Sequence, residues 1–191
     1  MAVELKPMTR RDLAVVRPWF EDEDVQRFLG GPEWPARMLT LAETVAGTIF
    51  RGATQTASYR WIALDGAHPV GYIDCGITDR WTVCDDDGTG APVVVSAIDV
   101  PAASVALTVD PSRRGAGIGR SMVRALLAAP EVRSVELFGA GVDPDNVASL
   151  RCFGAVGFVL QTSEPDWEGM LYLIRERERR FRRGNHAHTC P

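Results

Sequence analysis

The 191-residue sequence contains no apolar run near the roughly 20 residues that a membrane span needs. Its start, "MAVELKPMTRRDL", lacks the apolar core of a signal peptide. Both absences lead to the expectation of a cytoplasmic protein with no membrane partner. Cysteine is scarce. Cys75, Cys84, Cys152 and Cys190 form no C-x-x-C pair and have no histidine ligand beside them, so ordinary thiols are expected and no metal site. Histidine is scarcer still: His68 falls in a turn signal, and His186 and His188 lie near the end of the chain. Internal repeats and low-complexity segments are absent.

The sequence does hold enough apolar residues, 46%, for one ordinary domain with a full core. Charge is distributed unevenly. Between 175 and 191 six arginines face Glu176 and Glu178, a local +4, which leaves −8 of the overall −4 on residues 1–174. An acidic body does not suit nucleic acid and is compatible with a cationic small substrate.

Periodicity and turn chemistry place the elements. "VELKPM" reads as a strand. Thr9-x-x-Asp12 opens a helix over "RRDLAVVRPWFED", and Thr40-x-x-Glu43 is expected to open a second over "LAETVAGTIFRG". The strands "SYRWIALD" and "HPVGYIDCGIT" flank the hairpin turn "DGAH". Residues 79–102 read as an insertion carrying a hairpin, and their "DDDGTG" fails the calcium-loop register because the end ligand positions would be Val83 and Val94. Then come strand "SVALTVD", a helix from about 117 to 129, strand "SVELFGAGV", a helix from 146 to about 155, and strands "GFVLQTS" and "GMLYLIRE". A strand–helix–strand unit of this length makes a parallel pair with a right-handed crossover. The expected class is α+β, with a mixed, mostly antiparallel sheet of six to seven strands and helices on both faces. We expect one domain over residues 1–176 and a solvated basic tail over 177–191.

The most informative stretch is "VDPSRRGAGIGRS". A strand ending in Asp110-Pro111 turns through three glycines into a helix whose first amides have no partner. Those amides and the helix dipole favour an anion. Gly115, Gly117 and Gly119 remove the Cβ atoms that would hold a phosphate off the backbone, and Arg114 and Arg120 add charge at the rim. A Walker loop is excluded because the lysine is missing. A dinucleotide fingerprint is excluded because Arg120 holds the place of its third glycine. The anion expected on residues 114–120 is a phosphate or pyrophosphate.

Arg114-Gly115-Ala116-Gly117-Ile118-Gly119 resembles the R/Q-x-x-G-x-G/A pyrophosphate loop of the GNAT superfamily of acyl-CoA-dependent N-acyltransferases. Downstream, "NVASLRCFGAVGF" is similar to that family's N-x-x-A-I-x-x-Y-x-x-x-G-F segment, and Asn146, Ser149, Leu150, Phe153, Gly157 and Phe158 fall on its marked places. "LKPMTRRDLAVVRPWF", "FLGGPEWP" and "DPDNVASLRCFGAVGF" look like stretches of aminoglycoside 6′-N-acetyltransferases. The resemblance implies a central splayed parallel strand pair and acetyl-CoA as cosubstrate. It further implies pantetheine pairing along Leu107, Thr108 and Val109, pyrophosphate on 114–120, and a cofactor contact from Asn146. Small residues at Gly139, Ala140 and Gly141 would suit a strand passing close to the acyl group.

One departure stands out: the family's usual acid, a tyrosine, is replaced by Phe153. Nor does strand 104–109 carry a carboxylate. Asp74 on "GYIDCG" and Asp99 on "SAIDVP" are the remaining candidates for the base. The implied activity is N-acetylation of a primary amine on a small cationic molecule, aminoglycoside-like or polyamine-like, by a monomer or homodimer. An acyl-CoA-binding sensor domain and a protein N-acetyltransferase are the alternatives.

Overall fold

Thr9 and Asp12 do begin a helical segment. The Asp12 carboxylate accepts hydrogen bonds from the Thr9 amide and hydroxyl, both at 2.8 Å. Pro18, which has no amide to donate, interrupts the helix. The computed structural model, which describes residues 2–178, therefore shows a 3₁₀ turn at Arg10–Asp12, helix α1 at Leu13–Val16, a second 3₁₀ stretch at Arg17–Glu21, and α2 at Glu23–Phe28. Asp22 caps α2 by accepting from the Val25 amide at 3.2 Å.

The next helix is not where its capping pattern put it. Helix α3 spans Trp34–Ala42, with Pro35 in its first turn, where a missing amide costs nothing. Thr40, expected as the cap of a later helix, sits inside this one and donates its hydroxyl to the Ala36 carbonyl at 3.2 Å. The stretch expected to be helical instead turns at Gly47, where φ is +86°, and enters β2 at Ile49–Phe50.

The sheet has the expected mixed, mostly antiparallel plan, with eight strands among the described residues where six to seven were expected, because the short β2 joins it. Its strands are β1 (Glu4–Pro7), β3 (Ala53–Asp65), β4 (His68–Thr78), β7 (Ala102–Val109), β8 (Leu137–Val142), β9 (Val159–Leu160) and β10 (Leu171–Glu176). They lie in the order β1-β3-β4-β7-β8-β10-β9, with β2 beside the start of β3. All pairings are antiparallel except β7 with β8. Helix α4 (Ile118–Ala128) makes the crossover between those two, and α5 (Val147–Gly154) comes after β8. A separate hairpin, β5 (Trp81–Asp86) with β6 (Pro92–Ile98), occupies the 79–102 stretch. Its acidic turn holds itself: Asp86 accepts from the amides of Gly88 and Gly90, and Asp87 from that of Thr89.

Strand alternation sorts the sheet into two apolar faces. One packs Trp61, Ile73, Cys75, Val105 and Phe138 against Met122 and Leu126 of α4 and Phe153 of α5. The other packs Ile62 and Tyr72 against Val16, Trp19, Phe20 and Val25 of the N-terminal helices. Met122 and Leu126 have no exposed surface, and removing either side chain to Ala would cost about 2–5 kcal/mol. Among the described residues, no helix is long and apolar enough to cross a membrane.

Arg177 was expected to begin a solvated tail. Its guanidinium instead donates to the carbonyls of Val135 (2.7 Å), Val132 (2.8 Å) and Leu127 (3.3 Å), so this residue belongs to the body. The rest of the expected tail, from 179 onward, lies outside the described residues.

Candidate functional site

Strands β7 and β8 run side by side for only three residues. Ala102 faces Leu137, Ala103 faces Phe138 and Ser104 faces Gly139. Beyond that point β7 stays bonded to β4 as far as Val109, and β8 stays bonded to β10 as far as Val142. The two strands part like a V. Backbone groups on the facing edges are then not consumed by a ladder between them. A cleft of about 110 Å³ fills the opening, bounded by Val105, Ala106 and Leu107 on one arm and Gly141 and Val142 on the other. Asn146, Ser149 and Phe153 of α5 close it on one face of the sheet, and Asp24, Val25 and Phe28 of α2 on the other.

The glycine loop lies at the end of the β7 arm. Asp110 organises the exit by accepting from the amide (2.9 Å) and hydroxyl (2.7 Å) of Ser112. Gly115 and Gly117 adopt φ of +81° and +78°, which side chains rarely tolerate, and Gly117 caps α4 without any side-chain acceptor. The first-turn amides at Ile118, Gly119 and Arg120 therefore receive no side-chain cap from Gly117. A Cβ on Gly119 would come within 3.0 Å of the Cys152 sulfur, so the glycine also brings α4 up against α5. Across the cleft, Asn146 caps α5 by accepting from the Ser149 amide at 3.0 Å while lining the cavity.

Arg114 is not a free rim charge. Its guanidinium is bound to Asp22 at 2.7 Å and Asp24 at 3.3 Å, tying the loop to α2. The guanidinium holds the Asp22 carboxyl below its usual pKa. A second ion pair, Arg27 with Asp145 at 2.6 Å, ties α2 to the loop before α5. Helix α2 therefore spans the cleft from one anion-favouring corner to the other.

The two carboxylate candidates differ in burial and partners, and neither lines a cleft itself. Asp99 is 79% exposed, pairs with Arg80 at 3.2 Å and lines neither this cleft nor the second one, beside Trp81. Asp74 is half-buried on the face that carries α1 to α3. It lies opposite Arg60 of β3 and Ala106 of β7, and Ala106 is a wall of the cleft. The Tyr72 hydroxyl donates to Asp74 at 2.8 Å. Burial pushes the Asp74 carboxyl up to about 6, against the opposing pull of the Tyr72 hydrogen bond and the Arg60 charge. Tyr72 and Arg60 were not singled out in the sequence. The signal for Tyr72 was available, since residues two apart on a strand share a face. Phe153 is buried, stacked edge-on against Phe158 with centroids 5.0 Å apart, and offers no proton.

The small residues of β8 serve neighbours already present. The Trp81 indole lies directly on Gly139, and Tyr172 and Met170 lie against Gly141. The second cleft, of about 140 Å³, opens there between β5, β10 and the start of β3, with Ser104 in its lining.

Comparison with known proteins agrees with this geometry. The model of the acetyltransferase (GNAT) domain family matches residues 2–159. The chain is 30% identical over 167 residues to the uncharacterized N-acetyltransferase YfmK of Bacillus subtilis, covering 87% of this chain and 92% of that protein. It is 26% identical to the aminoglycoside N(6′)-acetyltransferase type 1 of Serratia marcescens, over 94% of this chain and 88% of that one. The solved structure of AAC(6′)-Ib with paromomycin and acetyl-CoA superposes with a TM-score of 0.69 at 22% identity, covering 95% of this chain and 98% of that one, a likeness of fold.

Proposed function

Because this chain belongs to the GNAT acetyltransferase family and is an N-acetyltransferase with acetyl-CoA as cosubstrate, we propose that its acceptor is the primary amine of a small cationic molecule. The observation that carries the reading is the parting of β7 and β8 over a cleft lined by the start of α5, with the glycine loop following the β7 arm. The acidic balance of residues 1–174 and the aminoglycoside acetyltransferases among the relatives support a cationic acceptor.

Acetyl-CoA supplies a thioester: the amine nitrogen forms the new C–N bond to its carbonyl carbon as the C–S bond breaks and the electron pair leaves on sulfur. In our assignment the amides of residues 115–120, Ala116 and Ile118 among them, hold the pyrophosphate, with Arg120 beside them. The free edge of Leu107, Thr108 and Val109 takes the pantetheine as an added strand, and Asn146 bounds it from α5. An amide of the β7 arm stabilises charge developing on the carbonyl oxygen. Asp74, one cross-strand step from the cleft wall, takes the proton that the ammonium gives up; a carboxyl near 6 is ionised at neutral pH yet basic enough to accept it. Phe153 lends the sulfur no proton, which a thiol with a pKa of about 8–9 tolerates as a leaving group; the second proton, lost by nitrogen as the amide forms, passes through solvent to the departed thiolate.

The test is thiol release from acetyl-CoA with polyamines, aminoglycosides, simple monoamines and lysine-containing peptides. Turnover above hydrolysis is expected with small amines. Turnover confined to peptides, or none with any amine, would refute the proposal.

A further inference from the structure

Resting on that reading of the acceptor as a small amine, we infer that the acceptor carries a single ammonium on an apolar body about the size of one ring, and that this body seats in the second cleft. The cleft stands at the closed end of the V. Ser104, in its lining, is the last residue of β7 paired to β8. Ser104 lies opposite Gly76, two residues from Asp74 on the same strand, so cleft and carboxylate share a face of the sheet. From Ser104 the next residue of β7 on that face is Ala106, which is paired with Asp74.

The walls are aromatic and fixed. Trp81 and Tyr172 meet edge to face with centroids 6.0 Å apart. The Trp81 indole N–H donates to Gln161 at 3.2 Å, and the Tyr172 hydroxyl accepts from Arg51 at 2.9 Å. Phe50 forms the outer rim. These rings present flat apolar surface to whatever enters, and they favour a second flat apolar group.

The carboxylates around this cleft are already engaged. The lining holds one carboxylate, Asp166, against two guanidiniums, Arg51 and Arg80. Asp166 already accepts from the amides of Glu168 (3.0 Å) and Met170 (2.9 Å) to hold its own turn. Glu168 is paired with Arg51, and Asp79 and Asp99 with Arg80. The extra ammoniums of a polyamine or an aminoglycoside would have to compete with Arg51 and Arg80 for these carboxylates, which an acceptor with a single ammonium need not do. The size agrees: the cleft is about 140 Å³, and a cavity of about 150 Å³ accommodates benzene. A primary arylalkylamine fits these terms, its ring against the wall that Trp81 and Tyr172 form together and its ammonium toward Ser104. The hairpin of β5 and β6 then has a task, because Trp81, Thr82, Val83 and Cys84 of β5 are one wall of the cleft.

The experiment is steady-state thiol release by the full chain at saturating acetyl-CoA with phenethylamine, spermidine and kanamycin. Phenethylamine is expected to have the highest kcat/KM by at least about tenfold, and Trp81→Ala to raise its KM about tenfold through loss of ring contact while the KM for acetyl-CoA stays within about twofold. Trp81→Phe should restore most of the loss. Because Trp81 also packs on Gly139, Phe50→Ala provides a rim variant outside the sheet core, with a fewfold rise in the phenethylamine KM expected. A higher kcat/KM for spermidine or kanamycin overturns this inference and leaves the small-amine reading standing. No turnover of any amine overturns both. Parallel rises in both KM values for Trp81→Ala, with Phe50→Ala unchanged, overturn the assignment of the cleft.

Discussion

Replacing Asp74 with Asn should make the protein more stable and less active at once. Burial raises the Asp74 carboxyl from an ordinary value of 3.8 to about 6. A carboxyl shifted upward on folding favours the native state while it is protonated, below about pH 4. That advantage is lost as pH rises through about 6, where folding must bury a charge. The shift of about two pKa units corresponds to about 3 kcal/mol. Asn carries no charge to bury and can still accept from the Tyr72 hydroxyl. At pH 8 Asp74→Asn should therefore gain up to about 3 kcal/mol in denaturant unfolding, or about 6–12 °C in Tm for a chain of this length. At pH 4 the gain should vanish.

Catalysis should move the other way. A lost general base typically costs about 10²–10⁴-fold, and kcat should fall by that order in thiol-release assays while acetyl-CoA affinity holds. The wild-type rate should drop below about pH 6 as Asp74 takes up a proton. Tyr72→Phe, which removes a hydrogen bond that favours the carboxylate, should move that limb to higher pH. If Asp74→Asn is less stable than wild type at pH 8, the carboxylate is Arg60's indispensable counterion instead. If the variant keeps its full rate, Asp74 is not the base. Either outcome refutes the reasoning.

Three further substitutions test single residues. Gly117→Val places a branched side chain at φ +78° and against the Arg120 guanidinium, and should weaken CoA binding by more than about tenfold in calorimetry; unchanged affinity would remove the phosphate from this loop. Phe153→Tyr adds one oxygen beside the cleft and should raise kcat only a fewfold, because thiolate already leaves well; a rise near the about 10²-fold expected of full acid catalysis would show that departure limits the rate. Arg177→Ala strands the carbonyls of Leu127, Val132 and Val135 and should cost about 3 kcal/mol, read as a fall in the denaturation midpoint; no change would return Arg177 to the solvated tail.

What could be read in the sequence was what chemistry writes locally. A backbone anion site needs glycine in consecutive special conformations, and "RRGAGIG" spells that need out in one short run; the structure gives Gly115 and Gly117 the positive φ that the pattern implies. The bounds of β4 were equally legible, because a turn at Gly66 (φ +60°) fixes one end. Helix α3 was misplaced since a Thr-x-x-Glu pattern is compatible with a helix interior as well as a helix start, and here Thr40 bonds back to Ala36. Contacts between distant residues were beyond local patterns. Small residues at Gly139 and Gly141 announced a close approach that was assigned to the acyl group, whereas the visitor to Gly139, Trp81, lies far earlier in the chain.

The partner of Asp74 was hidden by a subtler cause. Counting outward from the hairpin turn pairs Asp65 with His68 and Leu64 with Pro69, and continuing that count would set Arg60 opposite Ile73, on the apolar face under α4. A bulge between Ala63 and Leu64 leaves Val70 without an opposite number and moves the register by one. That single step turns Arg60 to the face of Asp74 and Tyr72. The arginine is thereby 9% exposed, with Nε and Nη1 unpaired within the protein. Its positive field stabilises the Asp74 carboxylate, whose pKa burial would otherwise lift further. The bulge at Val70 thus brings a counter-charge to Asp74 from several residues away, and deleting Val70 should shift every β3 side chain beyond it to the wrong face, abolishing activity through the register rather than through any catalytic atom.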